Sequence, residues 1–132
     1  MHTYRTQVTE QDLDHNHHVN NVVYVQWMQD AAASHGESAG IMTLSDQDNG
    51  TWFVREHNIV YKLPAMPGDH IEIDTWIENI KGFQSLRKYE IKRTSDNALL
   101  ASAYTNWVYV DKDQGKPKKI PQAFKDMFEC RS

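Results

Sequence analysis

The sequence predicts an α+β protein in which one long helix precedes a run of antiparallel strands. Three observations carry this. Between positions 20 and 36, Tyr24, Trp27, Met28, Ala31 and His35 fall at i, i+3, i+4, i+7 and i+11, one face of a helix. After Gly50 the pattern changes to segments rich in β-branched and aromatic residues or alternating with period two. Clusters of Pro, Gly, Asp and Asn punctuate those segments. Strands segregated from one helix argue for α+β. The simplest architecture is a five-stranded antiparallel sheet wrapped around the helix's apolar face.

Each element has a local reason. A first short strand fits residues 3–8, and a mostly polar segment runs from Thr9 to His18. Asn20 or Asn21 can cap the helix, because an Asn side chain accepts from the orphan N–H groups of a first turn. Ala31-Ala32-Ala33 favours helix, and the stretch from Gly36 to Gly40 is read as its end. A loop with Asp46, Asp48, Asn49 and Gly50 follows. Trp52 to Lys62 reads as a strand, and Pro64 to Asp69 as a turn. Ile71, Ile73 and Thr75 alternate with His70, Glu72 and Asp74, until Lys81-Gly82 breaks the strand. Ser85 to Arg93 alternates again, with Tyr89 and Ile91 on one face. Ser95-Asp96-Asn97 turns the chain into a last strand, Leu99 to Val110. After a charged loop, Pro121 to Phe128 reads as a terminal helix with proline near its first position. The four later strands are expected to follow one another as a meander, whose open edge invites pairing into a dimer or tetramer.

Composition narrows the function classes. The 132 residues are read as one domain, 1–132. A chain of this size needs no disulfide or structural metal to fold. The formal charge of −4 gives no footprint for nucleic acid or a membrane surface. No apolar run is long enough for a membrane span, and no apolar signal core follows Met1. The single cysteine, Cys130, allows no intramolecular disulfide, which fits a reducing, cytoplasmic setting. No cofactor is expected. His15, His17 and His18 lack the helical His pair or the cysteine pairs of a metal site, so no metal is expected either.

Chemistry concentrates between Asp12 and Asn21, where every residue except Leu13 and Val19 ionises or carries an amide. This run leads into the start of the main helix. A helix N-terminus offers unpaired N–H donors and about half a positive charge. It can therefore stabilise an oxyanion, while a carboxylate just upstream reaches the same volume. Carboxylate plus oxyanion donor is the minimum equipment for acyl transfer to water.

The motif Asp14-x-Asn16-x-His18-Val19-Asn20-Asn21-x-x-Tyr24-x-x-Trp27 resembles that of acyl-ACP thioesterases. Those belong to the 4-hydroxybenzoyl-CoA thioesterase group of hotdog-fold proteins. Asp12-x-Asp14 before the helix, followed by Tyr24, is similar to the acyl-CoA thioesterases of the same group. Val60-Tyr61-x-x-Pro64-Ala65-x-x-Gly68-Asp69 and Ala103-x-Thr105-x-Trp107-Val108-x-Val110-Asp111 resemble later stretches of that group. The resemblance implies a hotdog fold, hydrolysis of an acyl-CoA or acyl-carrier-protein thioester, and at least a homodimer. It implies Asp14 as nucleophile or water activator, Asn16 and His18 as orienting residues, and the Asn21 N–H as polariser of the carbonyl. The acyl-ACP branch adds a Glu-Cys pair where this chain reads Leu63-Pro64-Ala65-Met66, so Asp14 is expected to act with fewer helpers.

Several of these residues also have plainer roles. Asp14 can cap a local turn, and Asn20 a helix. Tyr24, Trp27 and Met28 suit the core, with Tyr24 and Trp27 also placed to touch an acyl group. Lys81, Arg87, Lys88, Lys92 and Arg93 cluster on two strands, and Lys81 and Arg87 are candidates for the phosphates of coenzyme A. The alternative is a solvated sheet face. A hydratase or dehydratase and a non-catalytic acyl-binding dimer are the competing functions.

Overall fold

The structure is a computed structural model that describes residues 1–131, with side chains described through residue 128. Cys130 lies outside the described side chains. The elements are β1 (His2–Gln7), a short 3₁₀ turn (Glu10–Asp12), α1 (Asn21–Ala39), α2 (Ile41–Gln47), β2 (Gly50–Tyr61), β3 (His70–Lys81), β4 (Gln84–Arg93), β5 (Ala98–Asp111) and α3 (Gln122–Arg131).

One antiparallel sheet takes all five strands, in the order β1-β3-β4-β5-β2. The expected meander holds for β3, β4 and β5. It fails for β2, which pairs with β5 rather than with its successor β3. Residues 62–69 carry the chain across the sheet between them. The crossover makes β2 an edge strand beside the last strand of the chain.

Period-two alternation decides the sheet's faces. On β4, Ser85, Arg87, Tyr89 and Ile91 are buried, while Leu86, Lys88, Glu90 and Lys92 are less so. Ile71, Ile73 and Thr75 of β3 and Ala101, Ala103 and Thr105 of β5 join the buried face. Against it lies α1, packed over β1 and β3 with Trp27, Met28 and Ala31 in the core. A second apolar cluster closes the other end, where Tyr109 meets Ile41, Ile120 and Phe124.

Two helix expectations are corrected. Asn20 does cap α1, its Oδ1 accepting from Val22 N at 3.0 Å. The helix, however, runs through Gly36 to Ala39 and ends at Gly40, whose φ of 76° suits glycine. Gly36 is an interior packing position, since a Cβ there would meet Ile41 Cγ2 at 2.6 Å. The segment read as a loop then forms α2, with Asp46 inside it and Asp48 as its C-cap.

Candidate active site

The polar run is folded by its own hydrogen bonds. Thr9 N donates to Asp12 Oδ2 at 2.8 Å, fixing the 3₁₀ turn. Leu13 and Val19 form an antiparallel bridge, and Asp14 N donates to His18 O at 2.7 Å. Residues 14–18 are thereby closed into a tight loop, with His17 at a φ of 61°. Inside it, Asp14 Oδ1 accepts from Asn16 N at 2.9 Å and from His18 N at 3.1 Å. Oδ2 makes none of the hydrogen bonds found among the described residues. The N–H groups of His18 and then Asn16 hold the Asp14 carboxyl below its ordinary pKa, so it is ionised at neutral pH.

The loop delivers the chain to the start of α1. The first N–H groups of a helix lack intrahelical partners. Asn20 Oδ1 takes that of Val22, and Asn20 O that of Val23. The Asn21 N–H has no partner among the described hydrogen bonds and stays available as a donor at the positive end of α1.

A cleft of about 640 Å³ opens on this helix start. One wall is Asp14, His15, His18 and Asn21; the other is Tyr61, Lys62, Leu63, Pro64 and Ala65. Two tyrosines join the walls. Buried Tyr24 accepts from Ala65 N at 3.0 Å, and Tyr61 donates to Asn21 O at 3.4 Å. Their rings meet edge to face, with centroids 5.1 Å apart. Behind the second wall, Arg93 reaches Pro64 O at 3.4 Å and Asp69 at 3.3 Å.

The structure thus brings together Asp14, His18, Asn21 and Tyr24, which the sequence singled out. Asn16 does not line the cleft; its backbone N–H acts on Asp14. Trp27 is core, packed edge-on to Tyr24 at 5.1 Å rather than lining the cleft. Neither proposed phosphate ligand reaches this cleft. Arg87 is only 4% exposed, because the pleat turns it inward beside Tyr89. There its Nη1 donates to His35 Nδ1 and to Thr75 Oγ1, both at 3.0 Å. Lys81 ends β3 about 26 Å along the strand from Ile73, which shares a row of the sheet with Tyr61. The cation that does line the cleft is Lys62, which the sequence reading passed over. It directly follows Tyr61 of the resemblance motif, and that was the available signal.

A curved antiparallel sheet around one helix, with its cleft at the helix start, defines a hotdog-fold protein. The chain belongs to the thioesterase-like superfamily, whose family model matches residues 8–128. Among curated proteins, "Putative acyl-CoA thioesterase YneP" of Bacillus subtilis (strain 168) is 29% identical over 104 residues, covering 78% of this chain and 75% of that one. Slr0204, a 1,4-dihydroxy-2-naphthoyl-CoA thioesterase from Synechocystis, has a similar structure, with a TM-score of 0.87 at 23% identity. The match covers 98% of this chain and 96% of Slr0204. YbaW from Escherichia coli superposes with a TM-score of 0.90 at 20% identity, over 97% of this chain and 99% of that one. The expected fold and family are both borne out.

Proposed function

We propose that this chain hydrolyses acyl-CoA thioesters. The observation that carries the proposal is the pairing of Asp14, with Oδ2 unengaged, and the free Asn21 N–H on one cleft. The thioester carbonyl oxygen sits on the Asn21 N–H, and the acyl group lies against Tyr24 and Tyr61. Asp14 either takes a proton from water as the water oxygen bonds to the carbonyl carbon, or attacks that carbon itself. Negative charge passes to the carbonyl oxygen and is stabilised by the donor and the helix end. In the general-base route, collapse breaks the carbon–sulfur bond and expels the thiolate, which takes up the proton held by Asp14, leaving the free acid. In the covalent route, collapse expels the thiolate and leaves the Asp14 anhydride, which water then cleaves to the free acid and the restored carboxylate. His18 orients water or substrate, and Lys62, which lines the cleft, is offered to the carrier's phosphates.

Coenzyme A is the preferred carrier because no Glu-Cys pair accompanies Asp14, the cleft wall being Leu63-Pro64-Ala65. An acyl carrier protein is the second reading, supported by the His18-Val19-Asn20-Asn21 motif. The active assembly is at least a dimer joined through the β2 edge. That strand is paired on one side only and exposes Phe53, Val54 and Val60.

The test is release of free thiol from short, long and aromatic acyl-CoAs, with acyl carrier protein thioesters in parallel. Turnover of at least one acyl-CoA well above background is expected. Turnover of carrier-protein thioesters alone would change the carrier. Tight binding without turnover would make the protein an acyl-binding module.

A further inference from the structure

One hydrogen-bond donor lining the cleft has no acceptor among the described residues. Tyr24 is a cleft residue, 3% exposed, and its Oη accepts the Ala65 N–H at 3.0 Å. A phenol hydroxyl donates as well as accepts. None of the hydrogen bonds found among the described residues takes the Tyr24 O–H. Burial, above all, raises the Tyr24 pKa beyond its ordinary value, so the hydroxyl keeps its proton at neutral pH.

The peptide bound to this hydroxyl is itself held from both sides. The Ala65 N–H belongs to the Pro64–Ala65 peptide, whose other polar end, Pro64 O, accepts from Arg93 Nη1 at 3.4 Å. The guanidinium is fixed in turn. Its Nε and Nη2 donate to the two oxygens of Asp96 at 3.0 and 2.9 Å, and Nη1 also reaches Asp69 Oδ2 at 3.3 Å. Asp69 Oδ2 accepts from Met66 N at 2.9 Å, closing the same turn. A line of hydrogen bonds thus runs from Arg93, through one peptide of the cleft wall, to the Tyr24 oxygen. Each donor in such a line polarises the next group, so the O–H at its end donates more strongly than an isolated phenol. Tyr24 stands three positions after Asn21, and helix side chains lean back toward the N-terminus. Its hydroxyl is thereby carried toward the end of α1 that holds the Asn21 N–H.

We propose that the Tyr24 hydroxyl is a second donor to the thioester carbonyl oxygen, beside the Asn21 N–H, and that Arg93 is a positioning residue acting on it through the Pro64–Ala65 peptide. This rests on the thioesterase reading above. Charge develops on the carbonyl oxygen as its carbon is attacked, and a donor already aimed there speeds that step. The other atoms of the reaction suit this donor less. A hydrogen bond donated to the attacking water would weaken the nucleophile. A phenol is a weaker acid than a thiol, so it does not protonate the leaving sulfur. Tyr24 keeps its proton throughout and forms no covalent bond.

The experiment has two arms. The first measures kcat and KM for thiol release from the best acyl-CoA substrate. Tyr24→Phe is expected to lower kcat by about 10²–10³, as removal of one oxyanion donor does, with KM changed less than about threefold. Arg93→Lys keeps the charge but loses the planar fork, and is expected to lower kcat about tenfold. Wild-type kcat in Tyr24→Phe overturns the inference, and wild-type kcat in Arg93→Lys overturns the part given to Arg93. Phenylalanine also deprives the Ala65 N–H of its acceptor, so the second arm reads the bond itself. Difference infrared spectroscopy follows the ¹³C-labelled carbonyl of a ketone analogue of decanoyl-CoA, with a methylene in place of the thioester sulfur. Its stretch is expected to fall on binding to wild type and to fall less in Tyr24→Phe. A ring-fluorinated tyrosine at position 24 keeps the acceptor and is the stronger acid, so the stretch should fall further. A stretch that is the same in all three proteins overturns the inference and leaves ordered water as the partner of the O–H. A stretch that depends on Tyr24, without thiol release from any thioester, would sink the hydrolase reading and leave the donor standing.

Discussion

Two backbone N–H groups converge on Asp14 Oδ1 and set its chemistry. Because they depress its pKa, protonating Asp14 takes stronger acid than an ordinary aspartate needs, and on the proposed mechanism that protonation ends hydrolysis. The acid limb of kcat/KM attributable to Asp14 is therefore expected below about pH 4, the ordinary aspartate value. A single limb with an apparent pKa near 6 would assign the essential base to a histidine instead. His35 gives a second pH effect, on stability. Arg87 can only donate, so His35 Nδ1 must accept and its proton sits on Nε2. Burial, then Arg87, pushes the His35 pKa down to about 3. The unfolded chain therefore binds a proton that the native chain refuses between about pH 6.5 and that value. The contribution is fully present above pH ~6.5 and declines by roughly 1.4 kcal/mol per unit as pH falls through this window. Denaturant titrations of wild type and His35→Asn should show a shallower acid decline in the variant. Identical slopes would contradict the burial argument. Asp14 was legible because its polar run ends at a helix cap. Arg87 was misread although the signal was present: it shares parity with Tyr89 and Ile91, so a pleated strand had to turn it inward. Tyr61 and Lys62 reach the cleft from about forty residues away, and apart from the motif that contains Tyr61 no local pattern announces that.

At the scale of elements, close contacts replaced the punctuation that the glycines suggested. Gly36 looked like a helix stop, but it lets Ile41 of α2 pack against α1. Gly50 looked like a loop residue; it opens β2 beneath Tyr109, whose hydroxyl donates to Asp48 at 2.7 Å. A Cβ at Gly50 would fall 2.0 Å from Tyr109 Oη, so the tyrosine would have to move and that bond would be lost. Gly50→Ala is expected to cost about 1–3 kcal/mol by chemical denaturation, as overpacking does. An unchanged midpoint would mean that the strand start shifts freely. Short helices such as α2 leave too few turns for a periodic signal, which is why the sequence read it as a loop.

For the whole molecule, strand count and antiparallel sense were legible, and strand order was not. Alternation marks each strand separately, but nothing local places β2 beyond β5. That placement makes β2 the edge and brings residues 61–65 to the helix start. Sedimentation at micromolar concentration is expected to show at least a dimer, weakened by Val60→Lys on the exposed edge. A strict monomer would contradict the edge-pairing proposal. Dialysis against a chelator is expected to leave hydrolysis intact, since carboxylate and amide suffice for the proposed chemistry. Loss restored by one divalent ion would overturn that.

The central claim is that Asp14 performs the chemistry at the start of α1. It is tested most directly by comparing thiol release from the best acyl-CoA substrate in wild type and Asp14→Asn. The substitution is nearly isosteric, so thermal stability should change little. The rate is expected to fall by about two to four powers of ten, as loss of a positioned acid–base group or nucleophile does. An Asp14→Asn protein that folds normally and hydrolyses at the wild-type rate would contradict the account.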